Sequence, residues 1–224
     1  MPVIMLKKET LQFIKDVAEN NNREWFAEHK NIYEESKADV LKLVSELIPE
    51  LAKVDPLIPA SLDPKKCLLR IYRDVRFSKN KDPYKNNYGI WFSSKSKGGN
   101  EPGYYLHIQP GNSFVAGGYW MPDSDHVKLI RQEIDYNIGD FKDVINQDAF
   151  RKNFVLGKEN ALKTAPKGYD PNDPNIEFLK LKSFEATMKL DDASFFKSAL
   201  VDKLISSFST VQPLVAFLRN AIDQ

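Results

Sequence analysis

The chain has 224 residues and a formal net charge of +1, with 32 Lys and Arg against 31 Asp and Glu. This balance excludes a polyanion-binding surface spread over the whole chain, so any attraction for anions has to be local. Cys67 is the single cysteine, which excludes an internal disulfide and cysteine-pair metal motifs. Lys7 and Lys8 come before any apolar stretch of signal-peptide length, and we expect a cytoplasmic protein.

Helices are predicted in residues 1–55. Apolar residues at helical spacing occupy residues 11–18 and then 25–51, with an asparagine run at 20–22 between them. The prolines of residues 56–64 then form a connector that is incompatible with a helix. The first part of the chain is therefore mostly helical.

The hydrophobic period changes to two in residues 67–120, which we predict as the main strand region. Strand candidates in this region are residues 67–73, 88–93, 103–109 and 113–120. Short connections between consecutive strands favour an antiparallel meander. Residues 102–122 contain no Asp, Glu, Lys or Arg and are as long as a membrane helix. Their prolines, glycines and alternating polarity predict a β-hairpin instead, so no membrane span is expected.

Helical spacing returns in residues 123–224, where a turn-rich loop at 166–174 and a further strand candidate at 184–190 interrupt it. Strands gathered in the middle of a chain with helices on both sides favour an α+β fold. We predict a single α+β domain over residues 1–224. Its central antiparallel sheet has about four or five strands, with helices from both termini packed on it.

The densest group of charged residues is the segment 70–85. It holds six Lys or Arg and two Asp, a net charge of +4 in a chain that is +1 overall. The planar guanidinium fork matches carboxylate and phosphate groups. We therefore predict an anion pocket whose binding residues are Arg70, Arg73, Arg76, Lys79 and Lys85. The alternative is a set of salt bridges on a solvated basic loop.

Side chains alternate along the third predicted strand. We expect one face of this strand to be buried and the other to meet water, a ligand or polar groups. The buried face carries Tyr104, Leu106 and Ile108. On the polar face, with Gln109, lie Tyr105 and His107, our candidates for orienting a ligand or transferring a proton. The alternative for His107 is a neutral ring that neighbouring groups satisfy.

Four further side chains are site candidates: Trp25, Tyr72, Ser78 and Tyr84. Ser78 lies beyond the first predicted strand, where loops commonly hold binding groups. Trp25 is either a lid over the pocket or an anchor in the core. The chain lacks the GxGxxG, GxxxxGK[ST], HExxH and GxSxG motifs, so no cofactor or metal ligand is identified.

Several motifs occur together along the chain. They are residues 21–26, RIYRDVRFS at 70–78, PYK at 83–85, PGYYLHI at 102–108, GGYW at 117–120 and PKGY at 166–169. In combination they resemble the bacterial and fungal family called domain of unknown function 2461. The resemblance covers nearly the whole chain and implies one full-length domain. It brings no activity, cofactor or site residue with it.

Three functions of different classes fit these residues. The preferred one is a small-molecule site for a phosphate- or carboxylate-bearing ligand, with or without catalysis. The alternative is a binding module for a macromolecule, in which exposed Arg, Tyr and Trp side chains are the anchors. Nucleic-acid binding fits the basic segment and its aromatic neighbours, but the near-neutral chain disfavours it.

Overall fold

Strands of the chain form one antiparallel sheet in the computed structural model, which describes residues 4–94 and 100–223. They are β1 (Tyr88–Phe92), β2 (Gly103–Ile108), β3 (Ser113–Tyr119), β4 (Val155–Leu156) and β5 (Phe184–Leu190). The order across the sheet is β1-β2-β3-β5-β4, so β5 lies between β3 and the short β4. Residues 95–99 of the predicted strand region lie outside the described residues. The predicted sheet of four or five strands is confirmed.

Helices lie before the sheet, between its strands and after it. Before β1 come α1 (Lys8–Glu19), α2 (Arg23–Glu28), α3 (Lys30–Val54) and α4 (Pro64–Cys67). Between β3 and β5 come α5 (Ser124–Tyr136), α6 (Ile138–Asn146), α7 (Asp148–Asn153) and α8 (Ile176–Leu179). A 3₁₀ turn at Asp192–Phe196 leads into α9 (Leu200–Ile222). This arrangement is the predicted α+β class.

The sheet buries one face against helices. Tyr104, Leu106 and Ile108 of β2 are fully buried, whereas Tyr105 and His107 on the other face are half-buried, as the alternation predicted. The buried face contacts α9 through β2, β3 and β5, and α3 and α5 pack on α9 in turn. None of the helices in the described parts of the chain has the length and apolar character needed to cross a bilayer.

Residues 67–73, predicted as the first strand, do not form one. Cys67 closes α4, and the chain beyond it runs beside the segment that leads into β1. The two segments pair only at isolated bridges, one of them between Tyr72 and Tyr84. The two bridges lie in different registers: Leu68 pairs with Ile90 and Tyr72 with Tyr84, so a step of four residues on one side faces a step of six on the other and the ladder is not continuous. The segment is an irregular edge, and its side chains do not alternate as a strand's would.

A buried ion pair ties α9 to the end of α3. Oδ2 of Asp55 accepts hydrogen bonds from Arg219 Nη1 at 2.6 Å and from the Tyr104 hydroxyl at 2.7 Å. The side chains of Asp55 and Arg219 are only 2% and 6% exposed. Nε and Nη2 of Arg219 are buried and find no hydrogen-bond partner among the described residues. The Asp55 carboxylate is therefore the main compensation for this buried guanidinium.

Candidate functional site

A polar cavity of about 300 Å³ lies between the end of α1 and the residues that precede β1. It is lined by Ala18, Asn21, Arg73, Asn80, Asp82, Tyr84, Lys85, Asn86 and Asn87. Its size is at the lower end of the range for small-molecule sites. Three of the predicted site residues, Arg73, Tyr84 and Lys85, are brought together here.

The wall of the cavity is fixed by an asparagine clamp. Nδ2 of Asn21 donates to the Tyr84 carbonyl at 3.0 Å, and the Tyr84 N–H donates to Oδ1 of Asn21 at 3.0 Å. The neighbouring Asn22 caps α2 by accepting from the Trp25 N–H at 2.9 Å. The Tyr84 ring stacks on Phe26, with centroids 3.9 Å apart. The backbone at Tyr84 is thus held from two sides.

Arg73 is held at the cavity by hydrogen bonds within its own loop. Nη1 donates to the Asp82 carbonyl at 3.2 Å, and Nη2 donates to Oγ of Ser78 at 3.5 Å. The Asp82 carboxylate is 3.9 Å from Nη1, and the Arg73 and Asp82 side chains are 26% and 50% exposed. An ion pair this long and this exposed is weak. Ser78 acts on the orientation of Arg73, and it does not line the cavity.

Lys85 is a half-buried residue of the cavity wall. Its backbone N–H donates to the Ile71 carbonyl at 2.7 Å, which fixes where the side chain starts. Burial lowers the pKa of Lys85, and the charge of nearby Arg70 lowers it further. No carboxylate of the described residues lies within 4.0 Å of the Lys85 amine. Arg70 itself is exposed and does not line the cavity.

Arg76 and Lys79 lie outside the cavity. Arg76 pairs with Asp74 in bidentate fashion, with Nε 3.0 Å from Oδ1 and Nη2 2.7 Å from Oδ2. These hydrogen bonds raise the pKa of Arg76 and lower the pKa of Asp74. Lys79 is exposed. Of the predicted anion ligands, only Arg73 and Lys85 are therefore cavity residues.

Tyr105, His107 and Gln109 form a chain of hydrogen bonds on the open face of β2. The Tyr105 hydroxyl is 3.0 Å from His107 Nδ1, and His107 Nε2 is 3.0 Å from Oε1 of Gln109. Because an amide oxygen only accepts, Nε2 carries the ring proton and Nδ1 accepts from Tyr105. Burial raises the pKa of Tyr105 to about 12, so its hydroxyl stays protonated. None of these three side chains lines the cavity. Asn87 does line it, and its Nδ2 lies 3.4 Å from His107 Nδ1.

We expect His107 to titrate below its ordinary value of 6.5. Burial is the main cause that lowers the pKa of this ring, and the charge of Lys85 adds to it. Between the two pKa values the unfolded chain binds more protons, so His107 makes the protein less stable as pH falls below about 6.5. An NMR titration of the ring checks this. A midpoint at or above 6.5 would contradict it.

Trp25 and Tyr72 support the fold beside the cavity and do not line it. The Trp25 ring stacks on His29, with centroids 4.1 Å apart, and lies 6.2 Å from Phe13. It packs against the core, which is the anchoring alternative to a lid. Tyr72 lies against Tyr84, with ring centroids 5.5 Å apart.

Sequence reasoning missed the four asparagines that line the cavity, together with Ala18 and Asp82. Asn80, Asn86 and Asn87 lie within eight residues of one another, which was the available signal. Asparagine in a loop is usually a turn former, so the cluster alone does not indicate a site. Across residues 4–94 and 100–223, no three His, Cys, Asp or Glu side chains are grouped so that they could hold a metal ion.

The fold and the cavity together define an α+β protein in which a polar cavity, lined by an arginine and a lysine, lies beside the edge strand of an antiparallel sheet. The chain belongs to the family described as conserved hypothetical protein (DUF2461), whose model matches residues 9–217. The match contains every residue that lines the cavity and confirms the predicted family. No curated protein and no solved structure matches the chain.

Proposed function

We propose that the protein binds a small molecule carrying a phosphate or carboxylate group in the cavity between α1 and β1. The observation that carries this proposal is that Arg73 and Lys85 reach one polar cavity of small-molecule size. A guanidinium and an ammonium group make charge-assisted hydrogen bonds to an oxyanion. The single carboxylate in the lining, that of Asp82, is half exposed and only loosely paired.

The remaining lining narrows the ligand class. Four asparagine side chains offer both donors and acceptors, which complement hydroxyl or amide groups on a ligand. Ala18 and the buried Tyr84 are the apolar residues of the lining and the others are polar or charged, so an aromatic or lipid ligand would bury little apolar surface here. The ligand we propose is therefore small, anionic and polar throughout.

The surrounding charge favours the same kind of ligand. Asp74 forms an ion pair with Arg76. Among the described residues, Arg73 is the one cation within 4.0 Å of the Asp82 carboxylate. Within the described residues, no carboxylate lies within 4.0 Å of Arg70, Lys79, Lys81 or Lys85. A surface with this excess of positive charge raises the local concentration of anions.

In this proposal, Tyr105 and His107 are the candidates for proton transfer. The His107 ring reaches the cavity only through Asn87, at 3.4 Å from its Nδ1. A ligand hydrogen-bonded to Asn87 would be connected to the ring by that side chain. The contact supports a role for the histidine in positioning the Asn87 side chain of the cavity wall.

We expect Arg73→Gln to abolish stabilisation by the ligand and to cost less than about 1 kcal/mol in the free protein. The basal cost is small because the acidic partner of Arg73 is half exposed. The measurement is a thermal-shift screen of phosphorylated and carboxylated metabolites. A ligand at a hundredfold its Kd adds about 2.7 kcal/mol of stability.

Two variants control this screen. Arg151→Gln, at an exposed position of α7, and Arg76→Gln, outside the cavity, should both respond to the ligand as the wild type does. An equal response of Arg73→Gln and Arg151→Gln would contradict the proposed site. So would a screen in which no anion stabilises the wild-type protein.

A second candidate function is docking of a macromolecule on the loop that carries Phe77. This side chain is 95% exposed, and the Arg76 guanidinium lies 5.8 Å from its ring centre. An exposed aromatic group beside a cation is typical of an interface anchor. Photo-crosslinking from position 77 in the producing cells tests this function, and an absence of adducts would count against it. Phe77→Ser should leave the response to small anions unchanged.

A further inference from the structure

We propose that Lys85 is a nucleophilic amine that forms a Schiff base with a carbonyl compound carrying an anionic group. This inference rests on the proposed function and narrows its ligand class. The ligand would be an oxo acid or a phosphorylated aldehyde or ketone. Its anionic group would be held by Arg73, and its carbonyl carbon would face the amine of Lys85.

The first support is the position of Lys85. It lines the same cavity as Arg73, so one small molecule can reach both side chains. Its backbone N–H is bonded to the Ile71 carbonyl, and the preceding residue, Tyr84, is clamped by Asn21. The Lys85 side chain therefore starts from a backbone whose position is fixed by these hydrogen bonds. A reactive group held next to a bound ligand reacts with it faster than a group that is free in solution.

The second support is the charge around the amine. A lysine amine has to lose its proton before it can attack a carbonyl carbon, and burial and nearby cations favour that loss. The charge of Arg70 acts on Lys85, His107 is a further titratable group near it, and Arg73 and Asp82 line the cavity with it. No carboxylate of the described residues is within 4.0 Å of its Nζ to hold the ammonium form. Consistent with this, burial lowers the pKa of Lys85.

The step needs no oxidant, reductant or cofactor. The Nζ lone pair forms a bond to the carbonyl carbon, the C=O π bond breaks, and a proton moves from nitrogen to oxygen. In the resulting carbinolamine the C–O bond breaks as nitrogen forms the C=N bond; the departing hydroxyl takes up a proton to leave as water, and nitrogen gives up its remaining proton. Amine and carbonyl thus give imine and water. The amides of Asn86 and Asn87, in the same lining, are the available partners for the departing hydroxyl group.

Reductive trapping of the full chain tests the proposal. The protein is incubated near pH 7 with glyoxylate or with glyceraldehyde 3-phosphate, and sodium cyanoborohydride reduces any imine to a stable secondary amine. Peptide mapping by mass spectrometry then compares the modification of Lys85 with that of the exposed Lys182. We expect Lys85 to be modified severalfold faster, because its lowered pKa leaves more of the amine unprotonated and therefore nucleophilic. The two carbonyl compounds show whether carboxylate or phosphate is preferred.

Three variants complete the test. Lys85→Arg should keep the charge and lose the rapid modification, whereas Lys182→Arg should retain it at Lys85. Arg73→Gln should slow trapping of the two anionic carbonyl compounds and leave that of acetaldehyde, which is neutral, unchanged. Modification of Lys85 no faster than that of Lys182 would overturn the Schiff-base proposal.

The two proposals fail in different ways. A metabolite that stabilises the protein through Arg73, together with an unreactive Lys85, would leave the anion site standing and remove the Schiff base. If trapping at Lys85 is rapid and its rate changes neither with the Arg73 substitution nor with added inorganic phosphate, the lysine is reactive without an anion site. This second result would overturn the anionic ligand class proposed here.

Discussion

Asp55→Ala is expected to lower the free energy of unfolding by about 3–5 kcal/mol. The substitution leaves the Arg219 guanidinium buried without its carboxylate, and it removes the acceptor of the Tyr104 hydroxyl. Uncompensated buried charge is among the most destabilising single changes in a protein core. Urea unfolding followed by tryptophan fluorescence measures the loss.

A double substitution separates lost charge balance from lost packing. Asp55→Ala combined with Arg219→Met removes both charges and should recover most of the stability, because an apolar pair often replaces a buried ion pair at little cost. Asp135→Ala, at an exposed position of α5, is the control and should change little. If Asp55→Ala costs no more than this control, the ion pair does not stabilise the core.

Glu185→Gln is expected to stabilise the protein at pH 8 by about 2–3 kcal/mol and to change little at pH 4. Glu185 is half-buried on β5, and its Oε2 finds no hydrogen-bond partner among the residues described. Burial raises the pKa of Glu185 from 4.5 to about 7. The folded chain therefore binds more protons than the unfolded chain between these values, and stability falls as pH rises through them.

Urea unfolding at both pH values checks the effect of Glu185→Gln. Glutamine keeps the shape of the side chain and removes only the charge that forms at high pH. Glu35→Gln, exposed on α3, is the matched control and should show no such difference between the two pH values. An effect of Glu185→Gln that is equal at pH 4 and pH 8 would show that ionisation of this carboxyl is not the cause.

The parts of the fold that depend on local pattern could be predicted from the sequence. The β2–β3 hairpin follows from alternation at period two, since a slip of one residue would expose Leu106. Residues 67–73 have a similar composition but no continuous ladder. The reason lies in the neighbouring segment, whose bridges to Leu68 and Tyr72 are in different registers. A pattern read along one segment does not contain that information.

The candidate site divides in the same way. Arg73 and Lys85 were predictable because their charge identifies them wherever they lie. Asn21 was not, because its amide clamps the backbone of Tyr84, which is 63 residues along the chain. Arg76 has the same chemistry as Arg73, but bidentate pairing with Asp74 holds it outside the cavity. Which of two arginines finds a local partner depends on loop geometry that composition does not encode.

The position of α9 in the chain has a consequence for synthesis on the ribosome. Every strand of the described sheet is translated before the helix that covers its buried face. Until then Leu106, Val115 and their neighbours lack the helix α9, and the N-terminal segment also lacks the Phe195 carbonyl to which the Leu6 N–H donates. The nascent chain therefore exposes this apolar surface until residues 200–222 have been added, and surface of this kind is what chaperones protect. Yield in cells should therefore depend on that protection as well as on the stability of the finished protein.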